Sequence, residues 1–191
     1  MQRFLAVGRT RLHVLEAGVH TPAEANRIKD ALVALRPKRI WFDLTPGEWR
    51  AILAAEKPHG LAKRVLATAT KAGPTQPFCA YLAAAHWAEQ ERLPVRFLLD
   101  QAPKASRLGL WSLDRMLKRE GFEAADPTAA VRRLHQHYLP RIPKLRAHLD
   151  ARWSMAARAL VAAERDAGTG GIVLCGLPDG EAIADRVQHL V

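Results

Sequence analysis

Apolar and polar positions alternate along this chain in two periods, and the switches between them divide it into strands and helices. Residues 2–7 and 11–17 are short apolar runs separated by Gly8-Arg9-Thr10, which predicts two strands joined by a tight turn. After Gly18-Val19-His20, Thr21 is a helix N-cap, Pro22 a first helical residue and Glu24 the third residue of a capping box. Ala25, Ile28, Leu32 and Leu35 then recur on one helical face until Pro37 stops the pattern. Residues 39–44 read as the next strand, and Thr45-Pro46 with Glu48 repeat the capping logic for a second helix.

Beyond residue 56 the prolines and glycines predict a loop region interrupted by a short helix near 60–70. Phe78 to Arg92 reads as a buried Ala-rich helix with Trp87 on its apolar side, residues 93–100 as a strand ending on Asp100, and 104–120 as a helix closed by Gly121. From Asp126 to Arg165 the chain is helical, with a break at Leu139-Pro140-Arg141-Ile142-Pro143. A strand at 172–175 and a closing helix from Gly180 complete the order. Strands alternating with helices predict an α/β fold: a mixed, mostly parallel sheet with helices on both faces and a helical middle over about 104–166, all in a single domain spanning 1–191.

Composition narrows the class. With 191 residues, 49% hydrophobic and 25% charged, the chain is long enough for a real core and resembles neither a disordered tail nor a repeat array. No apolar run approaches the roughly 20 residues of a membrane span, and the N-terminal apolar segment is shorter than a secretory core and fits a strand, so a cytoplasmic protein is expected. Cys79 and Cys175, the only cysteines, fit buried thiols. The net charge of +10 and pI near 10.3 predict attraction to polyanions.

Candidate chemistry gathers at strand ends, where open α/β sheets bind ligands. His20 follows the second strand and precedes a helix; an imidazole there can ligate a metal, relay a proton, or simply pack in a loop. Asp43 and Asp100 each end an apolar strand, suiting them to cation binding or acid–base work, or to capping the turn that follows. Arg132, Arg133, Arg141, Lys144 and Arg146, with no acidic residue until Asp150, form the strongest local positive charge. They suit either a phosphate-backbone contact or a solvated helix face. His135 and His137 stand two apart, a poor metal pair on a helix. Cys175-Gly176-Leu177-Pro178-Asp179-Gly180 is a glycine-containing strand-to-helix turn without the spacing of a P-loop or dinucleotide fingerprint. Serine elbows and zincin helices are absent too.

The order of motifs resembles the TraB/PrgY/GumN group, related to the Tiki metalloproteases and the erythromycin-esterase/ChaN-like fold. Ala17-Gly18-Val19-His20 stands where that group has Gly-Thr-x-His, Asp43-Leu44 where it has Glu-Leu before an Arg-bearing helix, and Asp100-Gln101 where it has Asp-Arg. Asp150-Ala151-Arg152 matches its acidic-Arg pair, while Cys175-Gly176-Leu177-Pro178 lacks its last histidine. The resemblance implies a polar cleft at the strand ends and, in active relatives, metal-dependent peptide hydrolysis. It makes His20, Asp43, Arg50 and Arg152 the candidate catalytic residues, and His20, Asp43 and Asp100 the candidate ligands of a zinc or manganese ion. The expectation is a degenerate hydrolase with weak or no activity on a peptide or anionic small molecule. The alternative is a non-enzymatic nucleic-acid-associated protein using the basic helices.

Overall fold

The computed structural model describes residues 2–7, 10–17, 21–167, 171–176 and 179–190. Among them the elements run β1 (Gln2–Val7), β2 (Thr10–Ala17), α1 (Pro22–Leu35), β3 (Ile40–Phe42), α2 (Pro46–Leu53), α3 (Gly60–Thr70), α4 (Cys79–Gln90), β4 (Val95–Phe97) and α5 (Arg107–Glu120), then α6 (Pro127–Arg133), α7 (Pro143–Ala167), β5 (Ile172–Gly176) and α8 (Asp179–Gln188). Between α6 and α7 the chain makes a π-helical turn over Leu134–Tyr138 and a 3-10 turn over Leu139–Arg141.

The local signals act where they stand. Thr21 accepts the Glu24 amide at 3.3 Å and starts α1, although the Glu24 carboxylate turns to Arg27 instead of closing the box. Ahead of Pro37, Arg36 leaves the helix in a left-handed conformation with φ of 42°. At α2 the box closes fully: Glu48 N–H donates to Thr45 Oγ1 at 3.0 Å, and Thr45 N–H donates to Glu48 Oε2 at 2.7 Å. Pro140 has no N–H for the helical ladder, and around it the ladder widens to π and then tightens to 3-10 before Pro143 restarts it.

The five described strands lie in the order β1-β2-β5-β3-β4. β1 is antiparallel to β2, and β2, β5, β3 and β4 run parallel, so the sheet is mixed and mostly parallel, as the sequence predicts. Side chains alternate across it. Leu15, Ile40, Phe42 and Ile172 pack under α1 and α4, while Leu12, Val14, Trp41 and Val173 pack under α7 and α8. A separate apolar cluster of Leu113, Leu134, Tyr138, Leu139, Ile142, Leu145 and Leu149 forms the core of the helical middle. Helix α7 belongs to both: Leu145 and Leu149 serve the helical cluster, and Ala156 to Val161 the sheet. The residues between them, on the same long helix, sit where the two layers meet the carboxyl ends of the strands. Among the described residues no helix is long and apolar enough to cross a membrane.

Candidate active-site cleft

Ala17 of β2 pairs with Gly176 of β5, so the two strands end together, and β3 ends beside them at Phe42. A cavity of about 710 Å³ opens at this edge. Its floor includes Asp43, Tyr81, Gly176 and Asp179; Glu48, His135, His148 and Arg152 supply further polar wall, and Ile52, Leu61, Val65, Phe78 and Leu110 are among the apolar lining. Lys57, His59, Lys104 and Arg107 stand at exposed positions of the lining.

Asp43 is buried and held on both oxygens. Tyr81 Oη donates to Oδ1 at 2.5 Å, and the Gly176 N–H donates to Oδ2 at 3.1 Å. Asp179 opens α8 just beyond β5 and accepts the Trp153 indole N–H at 2.7 Å. Gly176 lies between them, and a β-carbon there would come 3.6 Å from Asp179 Oδ2 and 3.9 Å from Tyr81 Oη. Burial pushes both carboxyls up to about 6. For Asp43 the Arg152 charge opposes the rise and Asp179 adds to it, while for Asp179 Arg152 again opposes and Glu16 adds. Two carboxyls so linked titrate as one unit.

Arg152 brings a guanidinium to the Asp43 corner of the cleft. It donates to the Asp43 carbonyl at 2.5 Å and pairs with Glu48 at 2.9 Å. Burial works against its charge, but Asp43, Glu48 and Asp179 outweigh that and hold the guanidinium above its ordinary pKa. Glu48 therefore caps α2 with one set of bonds and anchors Arg152 with another. His148 stands one helical turn before Arg152 on α7, and the two line the same cavity. Its pKa is lowered by burial and by Arg152, against a smaller rise from Glu48. His135, in the π-helical turn, is lowered by burial to about 4. Among the described residues, Nδ1 of each ring is buried without a hydrogen-bond partner.

Of the four residues expected to be catalytic, the fold brings Asp43 and Arg152 together. Arg50 does not join them; it is exposed on α2, whose Glu48, Ala51 and Ile52 face the cavity instead. His20 lies outside the described residues. Asp100 is exposed and not among the cavity residues, because β4 is the edge strand and stops three residues earlier, at Phe97. No group of three or more His, Cys, Asp or Glu able to hold a metal ion occurs among the described residues. Without such a group, the described residues do not fit the zinc or manganese site that the resemblance implies. Cys79 is buried, and its thiol donates to the Thr21 carbonyl at 3.0 Å.

Sequence reasoning missed Tyr81, His135, His148 and Asp179 as site residues. Only Asp179 left a usable mark, as the acidic residue in the glycine-containing turn after the last strand. The basic segment is exposed at Arg132, Arg133, Arg141, Lys144 and Arg146. Folding nevertheless brings acids to it: Arg141 pairs with Glu120 at 2.9 Å and Arg146 approaches Asp150 at 3.9 Å. The Arg133 guanidinium lies over the Phe122 ring at 5.6 Å.

A scan against protein-family models finds no match for this chain, and a comparison with the curated proteins finds none either.

Proposed function

We propose that this chain is a TraB-like cleft protein and a slow, degenerate hydrolase that cleaves peptide amides in the cavity at its strand ends. The observation that carries the reading is the placing of Asp43 and Asp179 on one cavity wall beside one fixed guanidinium, where desolvation pushes both carboxyls up to about 6. Near neutrality such a pair holds an ionised and a protonated carboxyl at the same time for part of the population, which is the arrangement acid–base hydrolysis needs. The ionised member takes a proton from water as the oxygen attacks the amide carbonyl. The protonated member delivers its proton to the leaving nitrogen as the C–N bond breaks. Arg152 keeps the pair ionisable despite burial. No step is assigned to a metal ion, since the described residues give it no ligand set. A cytoplasmic location accords with this reading.

The alternative, nucleic-acid association through the basic helices, has less support, because Glu120 and Asp150 offset part of that charge. The test is incubation of the full chain with a mixed peptide library, with and without added zinc or manganese, followed by mass spectrometry. Slow cleavage that is lost in Asp43→Asn and in Asp179→Asn is expected. Cleavage that both variants retain, or none in the wild type under any condition, contradicts the proposal. Salt-sensitive polyanion binding lost on reversing Arg132, Arg133 and Arg146 would favour the alternative.

A further inference from the structure

The lining of the cleft is divided by charge. Its inner part holds the carboxyls of Asp43, Glu48 and Asp179 against one guanidinium, that of Arg152, which is already paired with Glu48. Its exposed part holds Lys57, Lys104 and Arg107, together with His59, against one carboxylate, Glu56. Among the described residues none of these three cations forms an ion pair, whereas Arg141 and Arg146 of the basic helices each find a carboxylate. Lys57 and His59 lie between α2 and α3, and Lys104 and Arg107 lead into α5. An ion pair of Arg64 with Asp114 at 3.1 Å ties α3 to α5 and holds both segments at one opening. Neither helix has an acidic residue in its first turn, so the partial positive charge of the two amino ends adds to the same field.

We propose that the mouth of the cleft is an anion subsite, and that its ligand is a short peptide with an apolar body and a doubly negative end, either paired carboxylates or a phosphate monoester. The inference rests on the cleft reading above and names the charge of the substrate and the direction in which it enters. Exposed charges act on one another over about 10 Å at moderate salt. A lysine swings its ammonium on a flexible four-carbon stem, so the mouth attracts an anion without one fixed geometry. The inner carboxyls repel the same anion. The two effects together orient the peptide, charged end outward and uncharged amide inward toward Asp43 and Asp179. Leu61, Val65 and Leu110 line the same space and suit an apolar body. A volume of about 710 Å³ lies within the range of small-molecule sites and admits a short peptide segment. A nucleic-acid strand fits worse, because it is negative along its whole length and the inner part of the cleft is acidic.

The probes are N-acetyl-leucyl-glutamate, with two carboxylates, and N-acetyl-leucyl-phosphoserinamide, compared with the uncharged N-acetyl-leucyl-glutaminamide. Each is titrated calorimetrically into the full chain at pH 7.5. At low salt at least one dianion is expected to bind about tenfold more tightly than the uncharged peptide, and the tighter of the two identifies the anion. The advantage should shrink as salt is raised. Lys104→Gln combined with Arg107→Gln should weaken the dianion about tenfold, and Lys57→Gln about threefold, with the uncharged peptide unaffected. Glu56→Gln should tighten the dianion by about twofold, a gain that a folding defect cannot produce. Lys29→Gln combined with Lys38→Gln removes the same charge from exposed positions outside the cavity and should change little. Equal binding of charged and uncharged peptides, no binding of any of them, or an equal loss in the Lys29 and Lys38 variant would overturn the subsite. Failure of the hydrolytic reading is separable. Charge-dependent binding without cleavage leaves the subsite standing. Cleavage that shows no preference for acidic peptides, and is unchanged in the Lys104 and Arg107 variant, leaves only the hydrolytic reading.

Discussion

Replacing His135 by leucine should stabilise the protein, and should do so more as the pH falls. His135 is held neutral by burial, which lowers its pKa to about 4 from an ordinary 6.5, and its Nδ1 has no partner among the described residues. Between those two values the unfolded chain binds a proton that the folded chain does not, so wild-type stability falls on acidification through this window. From pH 7.5 to pH 4.5 the loss from this one group is about 2–3 kcal/mol. Leucine has no proton to bind and no orphan nitrogen. At pH 7.5 removing the orphan is worth about 1–3 kcal/mol, less whatever the altered packing costs. Urea unfolding of both proteins at several pH values isolates the histidine, because every other titrating group cancels in the difference between them. The difference should widen by about 2–3 kcal/mol between pH 7.5 and 4.5, equivalent to a shift of roughly 4–12 °C in the melting temperature. A difference that does not change with pH would refute the placement of His135 in a water-poor wall.

The carboxyl pair acts with the opposite sign. Its folded pKa is raised, so the stability it contributes is present at low pH and is lost as the pH rises through about 6. Asp43→Asn should remove about 3 kcal/mol of that acid-side gain, read from the same unfolding series. Arg152→Met takes a donor from the Asp43 carbonyl and the ion-pair partner from Glu48 and should cost about 3 kcal/mol at pH 7.5, measured by urea unfolding. It should also raise the titration of the pair, followed by carbon-13 NMR of the carboxyls. Gly180→Ala puts a β-carbon 2.8 Å from Glu16 Cγ and 2.9 Å from Val14 Cγ1, both in buried residues, so a loss of about 1–3 kcal/mol is expected in thermal unfolding.

What the sequence discloses here is local, and what it withholds is long-range. The Thr45–Glu48 box, the break around Pro140 and the order of strands and helices follow from residues a few positions apart. Asp43 was legible because a polar residue ending a buried strand must lie at the sheet's carboxyl edge. The same logic placed Asp100 there too, but strand order decides which strand ends face the cleft, and β4 is at the border. Strand order follows from packing and leaves no local signal. Arg152 was legible through family resemblance, whereas His148, one turn before it, carries no local signal. The depth of His135 and His148 depends on how the helical middle closes over the sheet. In the same way, Glu120 neutralises Arg141 across 21 residues of chain, a pairing that no short window contains.

The central claim is that Asp43 and Asp179 are an electrostatically linked carboxyl pair facing a ligand cavity. Carbon-13 NMR of the aspartate carboxyls, titrated with and without N-acetyl-leucyl-glutamate, tests it most directly. Both resonances should titrate near pH 6 in the free protein and shift when the dipeptide is present. Titration near the ordinary aspartate value of about 4, unchanged by the dipeptide, would contradict the account.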